Sequence, residues 1–269
     1  MPIGGNISGG GGGGGGEESS WEEQYFVDWS AESAHDWDAN ASPFDIQGAA
    51  WAGAFMANGS KCEIVPASGL ELSPDASAAT AWYSSQDCPS LYAKISDWSG
   101  NAGIFDSVTN LQAIAVQCLI TGNPIQDNNG YGITLTGAGG FGASIERLYD
   151  SSVWGSGSHS GYRVSSAAPG FSWNAINSAE DGNEYQLFEI VMFPGGLCVC
   201  SVRDEASFVD PLGSSEFQKQ LASNGYLGNA EASNSWLPAN VYVQFLAYNG
   251  ATNTHTATFK NLRVLSLGV

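Results

Sequence analysis

Residues 184–204 read EYQLFEIVMFPGGLCVCSVRD. Two apolar runs meet at Pro194, Gly195 and Gly196, and a Pro-Gly turn between such runs is the signature of a β-hairpin. A three-residue loop puts Pro at the second position of a type I turn and Gly at the left-handed bulge position. That loop sets the register: Phe188 faces Val202, Ile190 faces Cys200 and Met192 faces Cys198 on one side, while Glu189 faces Ser201 and Leu187 faces Arg203 on the other. The first face is wholly apolar and requires a second sheet to cover it. A two-residue loop would set Glu189 against Cys200 and Phe188 against Ser201, mixing polar with apolar on one face.

The rest of the chain has the material for such a cover. From residue 44 onward, short apolar runs alternate with Gly, Ser, Asn and Asp clusters, giving candidate strands at 50–56, 62–65, 80–84, 111–121, 130–136, 143–149, 161–165, 241–248 and 254–267. Regularly spaced strands with turn residues between them predict a sandwich or barrel. Two short helices are expected as connections. Ser215 and Gln218 form a capping box before residues 217–221, with Asn224-Gly225 as the stop, and residues 89–95 form the second. At 269 residues without an internal linker, one main domain over 21–269 is expected, large enough to be stable without metal or disulfide.

The balance of 27 acidic against 8 basic side chains gives a formal charge of −19. Repulsion from phosphate then argues against nucleic acid and anionic membrane as partners, and no stretch is long and apolar enough for a transmembrane helix. The five cysteines have no regular framework. Cys198 and Cys200 share one face of a strand and point the same way, so they read as small core residues; Cys62 and Cys88 leave a disulfide open. The start, MPIGGNISGG, has neither a basic nor an apolar leader region, which reads as a protein folded in a host cytoplasm.

Residues 1–20 form a Gly-rich arm with eight consecutive glycines, Gly9, Gly10, Gly11, Gly12, Gly13, Gly14, Gly15 and Gly16. Free in solution such a run is a flexible tether; ordered, it needs a partner to hold it. Residues 21–43 are acidic and carry Trp21, Trp29 and Trp37 at a spacing of eight, which fits neither helix nor strand. They read as anchors by which this lead-in lies across the sandwich. Asp36, Asp38 and Asn40 have the spacing that opens a calcium loop, but the glycine and distal Glu of an EF-hand are missing.

The central hairpin, the late strand VYVQFLAYNG and the closing run TATFKNLRVLSL resemble the concanavalin A-like, or laminin G-like, jelly roll. The resemblance implies an antiparallel all-β sandwich whose final strand, carrying Phe259, Asn261, Leu262 and Val264, runs beside the N-terminal one. The superfold hosts hydrolases, lyases, lectins and non-catalytic virion domains, so the site must decide function. Family 16-type hydrolases carry E-x-D-x-E, and no E-x-D occurs here. Family 7-type alginate lyases carry Q-x-H and R-x-E-x-R; here Arg147 directly follows Glu146. His35, His159 and His255 are isolated, and no paired metal-ligand motif or nucleophile elbow is present. Gly137–Gly142 lacks the Lys of a phosphate loop and reads as a hairpin turn.

These residues set three expectations. The first is a non-catalytic structural protein of a tailed-phage virion, a capsid decoration, tail or fibre component that associates with other virion proteins and itself as a homo-oligomer, without a cofactor. The second is a carbohydrate-binding adhesion module reading a host surface glycan, with Trp154, Tyr162 and Trp173 as contacts, because rings in a Ser/Gly/Asn-rich segment stack on sugars. The third is a polysaccharide hydrolase or lyase with a site no motif reveals. Glu184 and Glu189 fall on opposite faces of the strand and cannot form a carboxylate pair, and Glu189 opposite Ser201 reads as part of a polar face, so no catalytic residue is assigned.

Overall fold

The computed structural model describes residues 20–37, 43–54, 60–74, 89–94, 111–122, 129–137, 140–149, 160–165, 176–177, 185–193, 197–215, 217–222, 241–248 and 255–268. The strands, in chain order, are β1 (Ser20–Asp28), β2 (His35–Asp36), β3 (Phe44–Ile46), β4 (Ala49–Ala54), β5 (Lys61–Val65), β6 (Gly69–Ser73), β7 (Ser90–Lys94), β8 (Ala113–Gly122) and β9 (Asn129–Gly137). They continue as β10 (Gly140–Tyr149), β11 (Ser160–Ser165), β12 (Ile176–Asn177), β13 (Gln186–Met192), β14 (Leu197–Arg203), β15 (Phe217–Ala222), β16 (Tyr242–Tyr248) and β17 (Ala257–Gly268). One sheet runs β15-β14-β13-β8-β17-β6-β5-β2, with β1 also on β17; the other runs β12-β11-β10-β9-β16-β7-β4-β3. This is the expected antiparallel jelly-roll sandwich, and the fold is the concanavalin A-like one.

The hairpin that opened the reading is β13–β14. Its register is the expected one: Leu187↔Arg203, Phe188↔Val202, Glu189↔Ser201, Ile190↔Cys200 and Met192↔Cys198. Phe193 N–H donates to Leu197 O at 2.8 Å, closing the ladder around the three loop residues, which lie outside the described set. Phe188, Ile190, Met192, Cys198, Cys200 and Val202 all enter the core between the sheets, each 0 % exposed. Each large apolar side chain so buried contributes about 1.5–3 kcal/mol.

Aromatic rings from both sheets meet in that core. Trp51 stacks on Phe245 at 5.3 Å, Trp29 meets Trp51 edge-on at 5.1 Å, and Phe245 packs on Phe259 at 4.8 Å. Tyr25 ties the lead-in to the second sheet, donating to Ile46 O at 2.9 Å and accepting from Trp51 Nε1 at 3.1 Å. Burial pushes its phenol far above the usual range.

Several expectations fail in instructive ways. Residues 217–221 are strand, not helix: β15 pairs with β14 from Phe217↔Val202 to Leu197↔Ala222. Of the expected helix 89–95, the described residues 90–94 are strand β7, held between β16 and β4. In both cases a neighbouring strand supplies backbone partners, which outweighs a local capping signal. The lead-in is also a strand. β1 runs antiparallel to β17, with a bulge between Glu23 and Tyr25 that disguises its alternation. Trp29 and Trp37 are nonetheless buried anchors, and β17 lies beside the N-terminal strand as the resemblance implied. Candidate strand 80–84 and the arm glycines Gly9–Gly16 lie outside the described residues.

Candidate functional site

The sandwich has two outward faces, and they differ in chemistry. On the nine-stranded sheet, Glu189 points away from the core beside Gln117, Ser201 and Arg203, all 0–2 % exposed. Its carboxylate accepts from Gln117 Nε2, from Ser201 Oγ at 3.1 Å, from Arg203 Nη2 at 2.8 Å and from Leu212 N at 3.2 Å. The last of these comes from residues 204–215, a strap laid over the sheet. Arg203 Nη1 donates to Asp210 O at 2.8 Å, Gln117 Nε2 to Val209 O at 3.0 Å, and Arg263 Nη2 also to Val209 O. Phe208 of the strap packs edge-on against Phe26 and under the Arg263 guanidinium at 4.8 Å. The strap crosses from β14 to β1 and back, so the polar groups of this face are spent on holding it. Glu189 is a structural ion-pair partner there.

The eight-stranded sheet presents a different face. Ile133, Leu135, Ile145, Val243, Phe245, Leu91 and Ala93 point into the core, so by strand alternation Tyr92, Lys94, Thr134, Ser144, Glu146, Tyr242, Gln244 and Tyr248 point outward. Pairing lines them up in rows: Tyr92, Gln244, Thr134 and Ser144 in one; Ser90, Leu246, Gly132, Glu146 and, in register on the next strand, Arg163 in another. Tyr92 and Tyr242 are half-buried and meet edge-on with centroids 5.9 Å apart. Gln244 is half-buried beside them.

Beyond this open corner the same face is closed. Glu146 is 0 % exposed, accepting from Ser144 Oγ at 2.9 Å and from Tyr248 OH at 3.0 Å. Two glycines of β9 make room for these side chains. A Cβ on Gly132 would come within 2.8 Å of Glu146 Cγ and 2.2 Å of Ile145 O, and one on Gly130 within 2.2 Å of Tyr248 OH. Thr134 Oγ1, fully buried between Ser144 and Gln244, has no hydrogen-bond partner. At the nearby end of β9, His255 Nε2 lies 3.2 Å from Gly130 O, and burial holds its imidazole down to about 4.

The remaining sequence candidates are placed as follows. Tyr162 lies on β11 with its ring in the core, 1 % exposed, and its hydroxyl donates to Gln186 Oε1 at 2.7 Å; it faces the other sheet rather than a sugar. Arg147 points the same way, donating to Gln186 Oε1 at 2.9 Å, so Glu146 and Arg147 face opposite sides. Trp154 and Trp173 lie outside the described residues, as do Asp38 and Asn40 of the calcium spacing and Cys88 of the open disulfide pair. Asp36 is an exposed strand residue, and among the described residues no three His, Cys, Asp or Glu side chains converge on a metal position. Cys62 is buried. Sequence reading missed the tyrosine corner because its members come from strands about 150 residues apart, Tyr92 and Tyr242. The signal available was the alternation Tyr242-x-Gln244-x-Leu246-x-Tyr248.

No known sequence family and no curated protein sequence matches the chain. Solved structures do. The CBM2 module of the evolved Dit of Lactobacillus casei BL23 phage J-1 is similar over 94% of this chain and 98% of that one, with 12% identity and a TM-score of 0.50. Lectin II from Ulex europaeus covers 89% of this chain and 100% of its own, with 10% identity and a TM-score of 0.42. An alginate lyase from Pseudomonas aeruginosa covers 73% and 82%, with 11% identity and a TM-score of 0.42. At such identities what is shared is the jelly-roll fold.

Proposed function

We propose that this chain is a carbohydrate-binding sandwich that acts without catalysis, as an adhesion component of a tailed-phage particle. The observation that carries the binding reading is the half-open corner of Tyr92, Tyr242 and Gln244 on the outer face of the eight-stranded sheet. Tyrosine rings offer a flat apolar surface to the C–H face of a sugar and a hydroxyl at the tip. The Gln244 amide supplies both donor and acceptor for sugar hydroxyls. All three stand on paired strands, which hold a recognition surface more rigidly than loops do. On the opposite sheet the polar groups Gln117, Arg203 and Glu189 are engaged by the strap.

The non-catalytic part of the reading rests on the carboxylates. Glycoside hydrolysis ordinarily takes two, about 5–9.5 Å apart. Among the described residues of this outer face the acid beside the corner is Glu146, and both its oxygens are engaged by neighbours. The particle setting draws on the Gly-rich arm and on the likeness to a phage module of the same fold. A glycan array probed with wild type and with Tyr92→Ala/Tyr242→Ala tests the binding reading: wild type binds a defined subset and the variant loses it. Absence of any glycan binding, or release of reducing sugar or unsaturated uronate from a bound glycan, would overturn it. Labelling of purified particles with antibody against this chain tests the setting.

A further inference from the structure

Resting on the carbohydrate reading, we infer that the glycan recognised at the Tyr92–Tyr242 corner is neutral, and that uronic-acid, sulfated and phosphate-bearing polymers are excluded. All eight Lys and Arg residues lie in strands, together with nine of the 27 acidic residues. The strands are therefore nearly neutral, and almost all of the net charge of −19 belongs to the rest of the chain. A polyanion meets a chain of formal charge −19, which lowers association rates as oppositely charged partners raise them.

Local cations do not offset it. Of the eight, Arg203 is committed to Glu189 and the strap, and Arg263 to Gln117 and Val209 O. Lys61 pairs with Glu63, Lys260 lies over the Tyr185 ring, and Lys219 belongs to β15 at the end of the nine-stranded sheet. Lys94, Arg147 and Arg163 belong to the eight-stranded sheet. Arg147 is turned into the core towards Gln186, and Arg163 is in backbone register with Glu146, away from the Tyr92–Tyr242 pair. Among the described side chains, Lys94, in register with Tyr242, is the cation of that sheet at the corner. A polymer with an anion on every repeat needs a run of cations along its path, ideally arginine forks. The corner instead offers two phenol rings and an amide, groups that match sugar C–H faces and hydroxyls.

The test sets a panel of neutral polysaccharides against alginate, polygalacturonate and chondroitin sulfate, each uronan paired with its carboxyl-reduced form. Affinities are measured from about 0.01 M to about 1 M salt, over which the Debye length falls from about 30 Å to about 3 Å. The expected result is binding to one or more neutral polymers with less than about twofold change across that range, and loss of about tenfold in Tyr92→Ala or Tyr242→Ala. An anionic polymer that binds more tightly than its carboxyl-reduced form, with affinity falling as salt rises, overturns the neutral-ligand inference while leaving the carbohydrate reading intact. Failure of every polymer to bind sinks the carbohydrate reading, and this inference with it.

Discussion

Replacing Glu189 with Ala removes a carboxylate that holds Arg203, Ser201, Gln117 and the main chain of Leu212 together. Arg203 is 2 % exposed and its Nε already lacks a partner, so the substitution leaves a buried guanidinium without its counter-charge. Losing one partner of a buried ion pair costs about 3–5 kcal/mol. The Leu212 N–H and Ser201 hydroxyl also lose an acceptor, which pushes towards the upper part of that range, about 4–5 kcal/mol. For a domain of this size each kcal/mol lowers Tm by about 2–4 °C, so the expected fall is roughly 8–20 °C by thermal denaturation. Two controls sharpen it. Lys61→Ala breaks an exposed pair of 3.4 Å and should change stability by less than about 1 kcal/mol. Glu189→Leu/Arg203→Met, which removes both charges, should cost less than Glu189→Ala alone. A Glu189→Ala protein within about 1 kcal/mol of wild type in urea titrations would refute the claim that this carboxylate pins the strap.

Three further outcomes follow from individual sites. Thr134→Val replaces a buried hydroxyl that has no partner, so in the absence of ligand it should stabilise the fold by about 1 kcal/mol in chemical denaturation; destabilisation would mean that the hydroxyl is satisfied. Burial lowers His255 to about 4 from an unfolded value near 6.5, so the unfolded state binds the extra proton between those values. Stability is full above about pH 6.5 and is lost towards pH 4, by roughly 3 kcal/mol, and His255→Gln should flatten that part of the pH profile. Burial also pushes the Cys198 thiol up to about 12 and Cys200 well above its ordinary value, so neither should react with a thiol reagent at pH 8 until the protein is unfolded by denaturant.

Much of the fold is legible in residues 184–204. Alternation and one turn give the β13–β14 register because side chains on a strand repeat every two residues, and only one pairing keeps Phe188, Ile190, Cys198 and Cys200 on a single buried face. The same local logic puts Glu189 on the opposite side from the core. It also fails locally: Ser215 and Gln218 carry a helix-start signal, yet Phe217–Ala222 pairs with β14, because an open strand edge offers hydrogen bonds along its whole length.

Which residues share a face follows from alternation along each strand; which strands become neighbours follows only from the folded chain. Tyr92, Gln244, Thr134 and Ser144 form one row only because β7, β16, β9 and β10 lie side by side, and no local period records that order. Likewise alternation puts Glu189 on an outer, polar face, but only the folded chain shows the strap from residues 204–215 closing over it. Burial on the inner face is dictated by hydrophobic alternation, a property of each strand alone. The chemistry of the outer faces depends on long-range pairing and on what else in the chain folds back across them.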